Sequence, residues 1–331
     1  MPDKIQKIFF MIKKFKKDIS RDRNIYHIAE DLHSNKLGEY YFIMTEEQMR
    51  AGHSQEYSFD SEGIPIIPTY IDVAEKKMIY YPISIGQYGL AIWDTYLKTA
   101  SADDLARFLI IAQWFYKNRI DDETLGSYWV TDVEKPAYHM AKGWKSAFSQ
   151  ARAINILLRA GQVTHNAAFE QVAERALCPF LYSVSDGGVT TYTDCGPFYE
   201  EYPAQEPTLV LNGMIFSLCG IYDYIRLHPD HRTANKIFNE GLQTLKNILT
   251  RYDLGYWSKY SLCESSYHPT IDPSTIGYHY LHIVQLRLLH LLTNQEIFDT
   301  VSKRWSSYVN YRNIVRMYWM KYRALRKMKR L

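Results

Sequence analysis

The sequence predicts a mainly α-helical fold, an incomplete α/α toroid with a small strand-containing N-terminal region and β-hairpin loops. The first sign is a set of eight helix-length stretches, all after Gln87, that repeat apolar residues at three-to-four spacing. The second is their succession in pairs, joined by loops or short hairpins such as Ser127 to Thr131 and Tyr256 to Leu262. The third is a change of texture upstream, where turn signals between Asn24 and Tyr81 divide the chain into short β-type runs. Paired helices linked by strand-like loops suggest a toroid, with a cleft lined by the loops at one end.

Taken in order, residues 1–23 form a basic amphipathic segment in which Ile5, Ile8, Phe9, Ile12 and Phe15 recur at helical spacing among lysines. Residues 24–85 form the irregular region. Its turns are marked by Ser34-Asn35, Ser61-Glu62-Gly63 and Ile64-Pro65, and Lys77-Met78-Ile79-Tyr80-Tyr81 is a β-type run. The helical domain spans 86–309, with helices expected at Ala91 to Lys98, Ser101 to Asn118, Trp144 to Ala160 and Ala167 to Cys178. Leu209 to Leu227, Ala234 to Thr250, Tyr278 to Leu292 and Gln295 to Val309 complete it. Ser101, with Asp104 three residues on, is the clearest N-cap. Residues 310–331 read as a basic amphipathic tail whose apolar side carries Ile314, Val315, Met317, Tyr318, Trp319 and Tyr322.

The net charge of +3 conceals a segregation: both ends are strongly basic and the body between them is acidic, near −10. The ends suit an anionic membrane surface, or they are helices packed on the body or on a partner. Removal of residues 1–17 and 310–331 together is expected to leave the protein soluble and catalytic while abolishing its binding to anionic liposomes. No apolar run reaches the ~20 residues of a membrane span and no signal peptide is recognisable, so the chain is expected in the cytoplasm, at the inner face of the membrane. Cys178, Cys195, Cys219 and Cys263 show no paired or metal-ligand spacing and read as reduced structural residues. The 28 tyrosines exceed what a core needs, and saccharide clefts use such side chains heavily. No nucleic-acid partner is expected.

The motif Tyr80-Tyr81-Pro82-Ile83-Ser84-Ile85-Gly86-Gln87-Tyr88-Gly89-Leu90 resembles the YPIQIAQYGL segment of D-glucuronyl C5-epimerases. Gly143-Trp144-Lys145-Ser146-Ala147, with Gln150 and Ala153, is similar to their GWxSAxxQGxAI stretch. Tyr199-Glu200-Glu201-Tyr202-Pro203, Leu211-Asn212-Gly213 and Ile221-Tyr222-Asp223 follow in family order, as do Arg251-Tyr252-Asp253-Leu254-Gly255, Tyr278-His279 and Lys303-Arg304-Trp305. The resemblance covers residues 64 to 309, and so many ordered motifs are far more specific than one alone. It implies a homodimer that converts D-glucuronosyl to L-iduronosyl residues in an acidic, heparosan-like polysaccharide, with no cofactor and no metal.

Inverting C5 requires removal of a weakly acidic proton alpha to a carboxylate and return of a proton to the opposite face. Two groups must therefore flank the ring, and donors must meet the growing charge on the carboxylate. By the resemblance, Glu201 and Tyr278 are the opposed acid–base groups, with Tyr260 and Tyr202 assisting. Tyr80, Tyr81, Gln87, Tyr88 and Trp144 are expected to line the saccharide cleft. The family's arginines in two segments are missing here, where Tyr260-Ser261-Leu262-Cys263-Glu264 and Ser274-Thr275-Ile276-Gly277-Tyr278-His279 stand. Arg152, Lys145, His279 and His282 are candidates to supply the lost charge. The histidines could equally face the core. The same chemistry could serve a β-eliminating lyase; a hydrolase using Glu200, Glu201 or Asp194, and a non-catalytic glycan-binding protein, remain the other readings.

Overall fold

The computed structural model describes residue 12 and residues 27–52, 58–70 and 72–328. Apart from Ile12, the amphipathic segment expected over 1–23 lies outside the described residues. The chain is mainly helical, with ten described helices and small two- and three-stranded sheets. The N-terminal region contains β1 (His27–Ile28) paired with β2 (Phe42–Ile43), then α1 (Glu46–Gly52) and an antiparallel sheet of β3 (Ser58–Phe59), β4 (Pro65–Pro68) and β5 (Met78–Ile79).

The helical part is built of hairpins. Helix α2 (Pro82–Thr99) packs on α3 (Ala102–Lys117), α4 (Ala147–Thr164) on α5 (Ala167–Arg175), α6 (Leu211–Leu227) on α7 (Arg232–Ile248), and α8 (Ile276–Thr293) on α9 (Glu296–Ser307). The first members also touch in succession, α2 on α4, α4 on α6 and α6 on α8, so they form an inner arc with their partners outside. Composition follows position. Every residue from Ala147 to Ala160 in α4 and from Leu211 to Ile221 in α6 is buried, whereas α7 and α9 bury one stripe each. Helices α4 and α6 meet at Gly220, where a Cβ would stand 2.5 Å from the Ala151 Cα, so only glycine permits the approach.

Ser101 accepts from the Asp104 amide, as its spacing predicts, and Ser146 accepts from Phe148 and Ser149 to start α4. One boundary differs from expectation. Helix α2 starts at Pro82, not after Gln87, because proline loses no helical N–H in the first turn and presets φ. A division at 85/86 would therefore cut a continuous helix. Two hairpins, β6 (Ile120–Asp122) with β7 (Gly126–Tyr128) and β8 (Thr190–Thr193) with β9 (Gly196–Tyr199), decorate the loops. All four cysteines are unbridged.

The C-terminal segment is a docked helix rather than a tail. Helix α10 (Tyr311–Lys327) buries Ile314 and Met317 against Tyr256, Trp257 and Ile276, and Lys321 Nζ lies 2.6 Å from Asp272 Oδ1. Burying Ile314 and Met317 alone contributes roughly 3 kcal/mol or more. Truncation before residue 310 is therefore expected to lower unfolding stability by at least about that amount in a denaturant titration. An unchanged midpoint would contradict this account. The helix is thus part of the folded body, not a free end. No helix among the described residues is long and apolar enough to cross a membrane.

Candidate active site

The N-terminal ends of the inner helices converge on one cluster. Tyr81 immediately precedes α2, Trp144 lies two residues before the cap of α4, Glu201 and Tyr202 lead into α6, and Tyr278 occupies the first turn of α8. Their rings interlock. Tyr81 and Trp144 have centroids 6.3 Å apart, Trp144 and Tyr202 5.5 Å, and Tyr260 and Tyr278 5.0 Å. Tyr138 stacks on Tyr202 at 5.2 Å, and its other neighbour, His268, lies 5.8 Å away. Four helix N-termini, each with positive partial charge, therefore face the same aromatic cluster.

Glu200 fixes the position of its neighbour. Its carboxylate accepts from Thr191 Oγ1, Thr208 N, Thr208 Oγ1 and Leu209 N at 2.7–3.1 Å, a cage that pins the loop after β9. Leu209 adopts φ of 48°, a costly conformation for a bulky residue, held as its carbonyl accepts from the Tyr252 hydroxyl and the Leu262 amide. Glu201 is thereby set into the cluster. It is 4% exposed and accepts from Tyr202 and from Asn212 Nδ2, the latter at 3.3 Å. Burial pushes its carboxyl up to about 7, against the pull of Tyr202, Lys135 and Asn212. A Cβ on Gly213 would meet Glu201 Oε2 at 2.6 Å, so the glycine of Leu211-Asn212-Gly213 is the space the carboxylate occupies. Glu201 is not a solvated loop acid.

The surrounding phenols are held protonated. Burial raises Tyr202, Tyr260 and Tyr81 well above the usual range, and the Glu201 charge pushes each further in the same direction. They can donate hydrogen bonds and cannot act as bases near neutral pH. Tyr278 differs in being 38% exposed at the rim. The structure also assembles groups that the sequence reading did not name as site residues: Tyr70, Tyr138, Asn212 and Lys135. Lys135 is buried, with Nζ 3.4 Å from the Tyr70 ring centroid and 4.6 Å from that of Tyr202. Asn212 was legible within its motif. Nothing in Glu134-Lys135-Pro136 marks Lys135 as a site residue.

Several expected cleft residues lie elsewhere. Tyr80 is exposed, donating to Asp60 Oδ2 at 2.7 Å and resting near Trp114. Tyr88 donates to Glu46, in a cluster with Arg50 and Arg107 two helical turns below the end of α2. Gln87 accepts from Arg152, whose fully buried guanidinium also donates to Tyr40 and lies among Tyr40, Phe148 and Phe216. That cation belongs to the helical core. Lys145 stands over Tyr128. His279 bonds Ser258 Oγ and the Trp305 carbonyl and stacks on Trp257, and burial lowers its pKa to about 3. His282 shares Ser258 and is likewise held neutral by burial. Both are core histidines. The carboxylates considered for hydrolysis do not converge either, since Glu200 is caged and Asp194 pairs with Arg251 on the surface.

The profile described as D-glucuronyl C5-epimerase C-terminus matches residues 122–307, more than half of the chain. The chain belongs to the D-glucuronyl C5-epimerase C-terminal family. The matched stretch includes Glu201, Tyr202, Tyr260 and Tyr278, as well as Lys135 and Trp144. A D-glucuronyl C5-epimerase of Caenorhabditis elegans is 28% identical over 216 residues, 61% of this chain and 34% of that protein. An uncharacterized protein of Methanocaldococcus jannaschii is 26% identical over 252 residues, 73% of this chain and 77% of the relative. This family member therefore spans about a third of the nematode relative's length.

Proposed function

We propose that this family member is a C5-epimerase acting on uronosyl residues within an acidic polysaccharide, at the loop end of an incomplete α/α toroid. The observation that carries the proposal is Glu201, a carboxyl with its pKa raised to about 7, set among protonated phenols with Tyr278 at the rim. A carboxylate of that basicity is matched to proton abstraction near neutral pH. Glu201 removes the C5 proton from one face, and the electron pair passes toward the substrate carboxylate. Tyr260 donates to the oxygens that gain charge, while Tyr202 keeps its single hydroxyl proton on Glu201 and holds that carboxylate in place. Tyr278, in contact with solvent, returns a proton to the opposite face and is reprotonated from water. The converging helix ends favour the anionic substrate further.

The deciding experiment is incubation with heparosan, an unsulfated glucuronate–N-acetylglucosamine polymer, in D₂O. Deuterium at C5 with inversion is the expected result. An unsaturated product instead would mark a lyase, which shares the abstraction step and then expels the 4-O-glycan. Tight binding without exchange would replace the enzyme reading with a glycan-binding one. We extend the proposal to an anionic membrane surface, because α10 leaves Tyr311, Val315, Trp319 and Tyr322 exposed beside Arg312, Arg323 and Arg326.

A further inference from the structure

We propose that Lys145 and the pocket it lines form a second carboxylate subsite, which holds the uronate that neighbours the reacting one along the polymer. The inference deepens the reading above and rests on it, since it supposes a uronate polymer at the Glu201 cluster. A pocket of about 130 Å³ opens beside that cluster, with Trp144, Lys145, Gly187, Gly188 and Pro203 among its lining residues. Two of these join it to the site. Trp144 packs on Tyr202 with ring centroids 5.5 Å apart, and Pro203 follows Tyr202 directly. The pocket suits one acidic group and not a length of sugar chain, because whole small-molecule ligands occupy roughly 300 Å³ or more. Lys145 fills the variable position of the GWxSA stretch, so the resemblance assigns it no role.

The half-buried ammonium stands 4.3 Å from the centroid of the Tyr128 ring, and no acceptor among the described residues takes a hydrogen bond or ion pair from it. An aromatic face steadies a cation without cancelling its charge. Asp122 attracts Lys145 only from beyond ion-pair distance, its carboxylate accepting from the Thr124 and Leu125 amides. Burial lowers the Lys145 pKa against that pull, so an anion arriving in the pocket would favour the charged form. Gly187 keeps the ammonium approachable. It adopts φ of 84°, and a Cβ there would stand 3.8 Å from Lys145 Nζ, in the space that an entering carboxylate needs. Gly188 beside it excludes a side chain altogether, since a Cβ would meet the Tyr182 carbonyl oxygen at 2.1 Å, so this wall is bare backbone. In a polymer that alternates uronate with a second sugar, a chain with one uronate at Glu201 carries the next carboxylate two units away. The Trp144 wall separates the two anionic groups, and each meets its own part of the protein.

The test is equilibrium binding of two heparosan fragments, a trisaccharide with one glucuronate between two N-acetylglucosamines and a pentasaccharide with two glucuronates. Lys145→Met is expected to weaken pentasaccharide binding by about 10-fold, the low end for a charge-assisted hydrogen bond, and trisaccharide binding by less than about twofold. Lys145→Arg should retain most of the pentasaccharide affinity. Gly187→Asp sets a carboxylate beside the ammonium, at a left-handed position that aspartate tolerates, and should reproduce the selective loss with the lysine in place. Equal loss on both fragments would mark Lys145 as structural and overturn the proposal, as would an unchanged pentasaccharide affinity in Lys145→Met. Lys145-dependent binding of inorganic phosphate, with no advantage of the pentasaccharide over the trisaccharide, would make the pocket a small-anion site and overturn it too. If Lys145→Met does not fold, Lys145→Gln or Gly187→Asp decides by the same pair of affinities. The readout is independent of turnover. Selective loss of the pentasaccharide, from a wild type that never exchanges C5, keeps the subsite and removes the epimerase reading. C5 exchange without that selective loss does the reverse.

Discussion

Glu201→Gln is expected to reduce C5 exchange by about 10²- to 10⁴-fold or more while the protein remains folded. Glutamine fills the same space beside Gly213 and can still meet Asn212, but it accepts no proton. The wild-type profile supplies a second check. Because burial raises the Glu201 carboxyl to about 7, the basic form is lost as pH falls through that value. The exchange rate kcat/KM should then fall about tenfold per pH unit on the acidic side. Stability should move in the opposite sense. A carboxyl whose folded pKa lies above its unfolded value binds more protons when folded, so it destabilises the protein progressively as pH rises from about 4.5 toward 7. Glu201→Gln should accordingly match or exceed wild-type stability above pH 7, the signature of a group held in place for function. Wild-type exchange by this variant would remove Glu201 from the mechanism.

The chemistry-bearing residues were legible where short motifs set them at the ends of elements. Tyr199-Glu200-Glu201-Tyr202-Pro203 and Ser274-Thr275-Ile276-Gly277-Tyr278 both sit at or just before an inner helix, and the fold brings those ends together. The same motif reading went wrong along the helices. Tyr81 and Tyr88 are seven residues apart, nearly the same angular position, yet at 1.5 Å rise per residue Tyr88 lies about 10 Å down the axis from the cluster. It meets Glu46 there instead. His279 follows Tyr278 by ~100° of helix rotation, which takes it from the rim to Trp257 in the core. Amphipathicity at the C-terminus was correctly read, but a period of 3.6 states only that a helix has an apolar side. Whether that side meets lipid or protein depends on Trp257 and Ile276, which no local pattern connects to α10. Lys135 illustrates the same limit, since its surroundings come from β4–β5 and the Glu201 loop, distant in sequence.

Tyr278→Phe is expected to lower C5 exchange by about 10²- to 10⁴-fold with little change in the dissociation constant for heparosan. Phenylalanine preserves the edge contact with Tyr260 and the N-terminal turn of α8, where Thr275 caps the Tyr278 amide, so the site should keep its shape. What disappears is the hydroxyl. Among the cluster's tyrosines, Tyr202, Tyr260 and Tyr81 are buried or nearly so, and burial holds them protonated, so a proton given up by any of them would be slow to return. Tyr278, at 38% exposure, can exchange with water between turnovers. The effect should therefore appear in kcat and not in affinity, and single-turnover measurements should locate it in the chemical step. The direction of proton delivery gives a sharper outcome. If Glu201 abstracts and Tyr278 returns the proton, the variant should retain slow deuterium incorporation with configuration kept, because Glu201 can still hand a proton back to the face it took it from. Loss of inversion with residual exchange would thus divide the two roles. Equal loss of both, with weaker polymer binding, would instead make Tyr278 a binding residue and leave the second acid–base group to be found elsewhere.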